Sequence, residues 1–138
     1  MLKATRHQIS RTIGMMAILA LLAAAAPASA YDCAQFISEG PPYDYASVPK
    51  NSWVNKTWNI KNCGDTTWTT SWGVKQIAGN ACVGVNFNFT ASTPPGSTAP
   101  IWVSCYVGTA SQYSGYFKVR TPGGTTFGDQ FWFIVNTY

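Results

Sequence analysis

From about residue 30 onward the chain is a series of short apolar runs, most of which alternate with polar residues in steps of two. Val54, Trp58 and Ile60 share one face of residues 53–61. Ile101, Val103, Cys105 and Val107 share one side of 101–107. In 115–120, Phe117 and Val119 oppose Tyr116, Lys118 and Arg120. A period of two belongs to half-buried strands, whose successive side chains point to opposite faces. Further strands are expected at 33–37, 73–77 and 85–89, the last with Val85, Phe87 and Phe89 against Asn86 and Asn88. Residues 131–135 are almost wholly apolar, the pattern of a strand covered on both faces. Breaker clusters separate the runs: Gly40-Pro41-Pro42, Asn62-Cys63-Gly64-Asp65, Ala78-Gly79-Asn80 and Thr93-Pro94-Pro95-Gly96. Nothing after residue 30 has helical periodicity. The pattern predicts an all-β, two-sheet sandwich of about seven antiparallel strands, with no internal repeat and no linker that would divide it.

Residues 1–30 depart from this pattern. Lys3, Arg6 and Arg11 precede an apolar stretch from Ile13 to about Ala26, and Pro27-Ala28-Ser29-Ala30 supplies small residues at a cleavage point. This is the layout of a signal peptide cut after Ala30. The apolar run falls short of the ~18–20 residues of a spanning helix. Cys33 is set back from its end, unlike a lipid-acceptor cysteine. The expectation is a secreted chain, periplasmic or extracellular, with residues 31–138 as one domain and no membrane insertion after cleavage.

Charge and cysteine content narrow the chemistry. Without the leader, six basic residues face five acidic ones, so the sequence pI of about 9.0 belongs to the leader, and no basic stripe points to nucleic acid. The single histidine, His7, leaves with the leader. Cys33, Cys63, Cys82 and Cys105 are even in number and lack both C-x-x-C spacing and a histidine companion. They are expected to form two disulfides and to hold no metal, with all three pairings open. No cofactor is expected. Serine–histidine and cysteine–histidine nucleophile pairs are excluded from the mature chain. The acidic residues Asp32, Glu39, Asp44, Asp65 and Asp129 are read as solvated or turn-capping groups, since hydrolysis of a glycoside would need two of them converging in a cleft. The chain is therefore expected not to be an enzyme. Asn55-Lys56-Thr57 and Asn88-Phe89-Thr90 match the glycosylation sequon and would be coincidental were the source bacterial.

Aromatic residues are the remaining candidates. Six tryptophans, seven tyrosines and seven phenylalanines exceed what so small a core must bury. Trp58, Phe117, Phe131 and Phe133 are assigned to the core. Trp53, Trp72, Trp102, Tyr106 and Tyr113, along with Tyr116, fall on outward parity or in loops, where rigid rings can recognise a ligand.

Several motifs occur in a telling order: Lys56-Thr57-Trp58-Asn59-Ile60-Lys61-Asn62-Cys63-Gly64, then Trp68, a Pro95-Gly96 turn, Gly115-Tyr116, and Phe127-Gly128 ahead of Trp132. This order resembles the NBR1-type Ig-like domain (four-tryptophan, FW), found in the autophagy receptor NBR1 and in many bacterial exported proteins. The family pattern is K-T-W-x-(L/I)-x-N-x-G-x-x-x-W, then P-G, G-x-Y and a G-x-x-F-G hairpin. The resemblance extends over about residues 33–135 and makes Trp58, Asn62, Gly64, Trp68, Gly115, Tyr116, Phe127, Gly128 and Trp132 its motif core. No tryptophan follows Tyr116 where the family often carries an aromatic residue; Trp102 and Trp132 stand elsewhere. The resemblance implies a disulfide-stabilised immunoglobulin-like β-sandwich. From the bacterial relatives it also implies Cys33–Cys63, leaving Cys82–Cys105, over an immunoglobulin-style Cys63–Cys105 bridge beside Trp72. It further implies a protein partner. Carbohydrate is the alternative ligand, for which a planar row of rings would speak. A structural subunit of a surface assembly is a third reading, for which a long free edge near 85–89 would speak.

Overall fold

The computed structural model describes residues 30–82 and 86–138. The leader expected at 1–30, apart from Ala30, and the start of the strand expected at 85–89 lie outside them. Eight strands form two sheets: β1 (Ala34–Glu39), β2 (Ala46–Val48), β3 (Ser52–Asn62), β4 (Gly73–Gly79), β5 (Asn86–Asn88), β6 (Thr98–Val107), β7 (Gln112–Arg120) and β8 (Thr126–Thr137). One sheet has the order β1-β3-β6, the other β2-β8-β7-β4-β5. All neighbours are antiparallel except β2 and β8. The parallel β2 adds to the seven expected strands. It is three residues long and followed by Pro49, too short to show a period. No helix among the described residues is long and apolar enough to cross a membrane.

The core lies between the sheets and follows the alternation in the sequence. Val54, Trp58 and Ile60 of β3 face Phe117, Val119, Phe131, Phe133 and Val135 of β7 and β8, and all are buried. The Trp58 ring lies against Phe117 and Phe131 at 5.3 and 5.0 Å between centroids, and its Nε1 donates to the Trp132 carbonyl at 3.1 Å. Burial of an aromatic side chain is worth a few kcal/mol, and the indole N–H finds the partner that burial demands. β8 departs from expectation. Phe131, Phe133 and Val135 point inward, but Trp132 stands exposed on the other face, so the strand is not covered on both sides.

Both disulfides join a strand or strand end to a neighbouring segment: Cys33–Cys63 and Cys82–Cys105, with Cα–Cα distances of 4.9 and 5.0 Å. This is the pairing implied by the family resemblance. Asn62 explains the turn motif. Its Nδ2 donates to the Thr66 and Thr93 carbonyls at 2.9 Å each, and its Oδ1 accepts from Gly64 N at 3.1 Å. One buried amide thus ties β3 to the two loops that follow β3 and β5. Gly64 is required because a Cβ there would sit 2.3 Å from the Tyr31 carbonyl oxygen. Trp68 is fully buried over the same end of the core, bridged through its backbone to Thr93 and packed on Phe89 and Phe127.

Candidate functional site: an aromatic face and a carboxylate-lined cleft

The outer face of the three-stranded sheet brings three of the candidate aromatics together. Trp53 of β3 is a direct cross-strand partner of Tyr106 of β6, and Thr57 is the partner of Trp102. The alternate positions Val54, Val103 and Cys105 are buried, which sends Trp53, Trp102 and Tyr106 to the solvent side, where they are 65%, 55% and 48% exposed. Trp53 and Tyr106 touch at 5.6 Å with their planes at 67°. Trp102 lies four residues from Tyr106 on the same strand, about 13 Å away along it. Asn55, Thr57 and Ser104 occupy the rows between, so the rings are set among uncharged amides and hydroxyls, with Lys61 further along the same face.

Two expected members of this group are elsewhere. Trp72 is only 7% exposed and packs edge-on against Phe127 at 5.8 Å. It lies in the β3–β4 loop, where strand parity carries no information, and the loop folds it into the core. Tyr113 is half-buried against the core, and its hydroxyl accepts from Ala110 N at 3.3 Å, closing the β6–β7 turn. Tyr116 is half-buried on the outer face of the five-stranded sheet, 6.4 Å from the Trp132 ring. Arg120, expected outward, is 9% exposed. Its guanidinium reaches across β4, past Gly73, to the side-chain oxygen of Asn88 on β5.

A cleft of about 410 Å³ opens between β1 and β8, lined by Phe36, Glu39, Asp44, Asp129, Gln130 and Trp132. Three carboxylates thus border one cavity, and each is already engaged. Glu39 pairs with Lys56 at 2.8 Å. Asp44 accepts from Trp132 Nε1 at 2.9 Å and from Ile134 N at 3.1 Å. Asp129 accepts from Phe36 N at 2.9 Å. Asp129 ties β8 of one sheet to β1 of the other, Glu39 joins β1 to β3, and Asp44 holds the β1–β2 loop on β8, the architectural use of a carboxylate. Asp65, too, is engaged, accepting from Tyr31 N at 2.7 Å and so tying the start of the domain to the loop after β3. Among the described residues no group of three or more histidine, cysteine, aspartate or glutamate side chains could hold a metal ion.

Lys56 is a polar residue that parity sends into the core, and the structure keeps it there. It occupies the inward face of β3 between Val54 and Trp58 and is fully buried. Its ammonium donates to the Gly40 and Pro42 carbonyls at 2.7 Å each, pairs with Glu39, and lies 5.6 Å from the centre of the Tyr43 ring. The signal was present as a lone charge at an apolar position. It marks the residue that holds the β1–β2 loop, and with it Asp44, against β8.

Residues 43–137 match the model of a family described as the Ig-like domain from next to BRCA1 gene. Among curated proteins the chain is similar to Protein ILRUN of Danio rerio, 28% identical over 91 residues, which are 65% of this chain and 32% of that protein. The chain therefore spans about a third of that relative's length. Among solved structures it is similar to the solution structure of a CARDB domain from Pyrococcus furiosus, at 19% identity and a TM-score of 0.47, covering 77% of this chain and 93% of that one. With Trp58, Asn62, Gly64 and Trp68 performing one structural task, and with most of the sandwich inside the matched residues, the chain belongs to the family of Ig-like domains from next to the BRCA1 gene.

Proposed function

We propose that this Ig-like domain is exported, sheds residues 1–30, and acts without catalysis by binding a protein partner through the outer face of its three-stranded sheet. Trp53, Trp102 and Tyr106 would be the anchoring residues. The observation that carries this reading is the exposure of three large rings on one face, since aromatic anchors surrounded by polar groups characterise protein hot spots. The 67° angle between Trp53 and Tyr106 favours a protein over a polysaccharide, because a sugar platform needs rings in one plane. Two disulfides suit an oxidising compartment outside the cytosol. The engaged states of Glu39, Asp44 and Asp129 support a module without an active site.

The test compares the oxidised wild-type chain with Trp53→Ser/Trp102→Ser, immobilised against extract from the producing cell's surface and screened in parallel on a glycan array. A protein retained by the wild type and lost by the variant is the expected outcome, with the variant's thermal unfolding little changed because both rings are exposed. Saturable glycan binding that disappears in the same variant would replace the protein reading with a carbohydrate one.

A further inference from the structure

The opposite sheet carries an unanswered positive charge. Lys75 of β4 and Lys118 of β7 are direct partners across their ladder. Val74 and Val119 beside them are buried, so both lysines lie on the outer face of the five-stranded sheet. Directly opposed side chains of an antiparallel pair have Cβ atoms about 4.5–5.5 Å apart, where like charges repel. Among the described residues the one ion pair is Lys56–Glu39, so neither Lys75 nor Lys118 has a carboxylate within 4.0 Å. Two ladder pairs along, on the same face, stands Arg120 opposite Gly73. The residue is nine-tenths buried, and its guanidinium is held by neutral acceptors: the Asn88 side-chain oxygen and the Ser71 and Thr121 carbonyls. Its Nε has no partner. Carbonyl and amide oxygens satisfy N–H groups but leave the net charge uncompensated, and an uncompensated buried charge is costly. Asn86, opposite Lys75 on its other side, extends the row with a neutral amide.

We propose that this row is the docking site of an acidic, extended segment of a partner protein. One carboxylate sits between Lys75 and Lys118. The next on the same face of the segment lies toward Arg120, whose fixed charge attracts it. An extended chain repeats its side chains on one face every 6.8 Å or so, the same step that separates Lys118 from Arg120 along β7. Charge complementarity selects the partner: the strip is positive and free of carboxylates, whereas the cleft between β1 and β8 is lined by them. This surface lies on the sheet opposite Trp53, Trp102 and Tyr106 and stands whether or not that face is occupied.

The experiment is a fluorescence-anisotropy titration of the oxidised chain with a fluorescein-labelled peptide of alternating glutamate and serine, against a matched glutamine–serine peptide. Saturable binding of the acidic peptide alone, weakening as salt rises, is expected. Lys75→Glu turns a repelling pair into an attracting one. It should therefore weaken binding by about tenfold or more while raising Tm, a combination that a purely structural lysine would not give. Lys118→Gln should weaken binding without a charge reversal, and Lys61→Glu, on the other sheet, should leave it within about twofold. Absence of saturable binding overturns the proposal. So does equal weakening by Lys61→Glu, or tight binding of dextran sulfate that the acidic peptide does not displace, which would make the strip a site for an anionic polysaccharide.

Discussion

At the scale of single residues, the sandwich depends on polar groups as much as on its aromatic core. Lys56 and Asn62 are both fully buried, and each gathers two backbone carbonyls, those of Lys56 and one of the Asn62 pair from segments distant in sequence. Lys56 lies where a hydrophobic residue would ordinarily stand, and its ammonium is satisfied by two carbonyls and by Glu39. Removing the lysine strands those acceptors in a place water cannot easily fill. Lys56→Ala is expected to destabilise the domain by about 3 kcal/mol, the lower end for breaking a buried pair because Glu39 keeps 29% of its side chain exposed. Glu39→Gln retains an acceptor and should cost only about 1 kcal/mol. Urea unfolding with an unchanged m-value would check both; equal losses would mean that the ion pair, rather than the carbonyl contacts, holds the β1–β2 loop. Lys56 also shows a limit of pattern reading. The sequence places it on the inward face, yet only the partners offered by a loop fourteen to sixteen residues away make that position tolerable.

At the scale of elements, the regularly alternating strands were legible, whereas the short ones, and β8 with its run of apolar residues on both faces, were not. β3 and β6 run for 11 and 10 residues of unbroken alternation, so parity assigned Trp53, Trp102 and Tyr106 to the outer face. Trp72 escaped because a loop has no parity, and β2 because three residues make no period. Arg120 obeyed parity in its backbone direction, but its long side chain lies down across β4 to Asn88 instead of standing in solvent. The glycines of the β7–β8 hairpin separate two effects that sequence alone merges. Gly124 and Gly128 both have positive φ, at +91° and +74°. A Cβ on Gly124 would meet nothing within 4 Å, whereas one on Gly128 would lie 2.5 Å from Ala34 Cβ and 2.6 Å from the Ala34 carbonyl oxygen. Gly124→Ala should cost about 1 kcal/mol through backbone strain alone, and Gly128→Ala distinctly more because β1 must also shift. Thermal unfolding of the two variants would decide this, and similar Tm values would show that β1 yields without resistance.

At the scale of the whole molecule, the two disulfides close loops with sequence separations of 30 and 23 residues. On the chain-entropy account each is worth about 3.5 kcal/mol, which is large beside the roughly 5–15 kcal/mol that holds a domain together. The Cys33→Ala/Cys63→Ala and Cys82→Ala/Cys105→Ala variants should each lose about that much in urea unfolding, and full reduction should bring the fold to its margin; a loss well under 1 kcal/mol in either pair would show that the bridge adds little to its loop. The same bridges set how the domain behaves as a mechanical link. β1 begins beside the end of β3, at Ala34 and Asn62, whereas β8 finishes beside Val48 and Lys50 at the opposite pole, so tension applied to the two ends runs the length of the sandwich. Force entering at Cys33 crosses directly to Cys63, and β1, β2 and β3 are shielded from extension even when the rest of the domain has come apart. With the segment between Cys82 and Cys105 locked as well, only about half of the contour from Cys33 onward can pay out, each freed residue adding about 3.5 Å. A single molecule stretched before and after reduction should therefore roughly double its rupture length, which would make this domain a tether whose reach is set by the redox state around it.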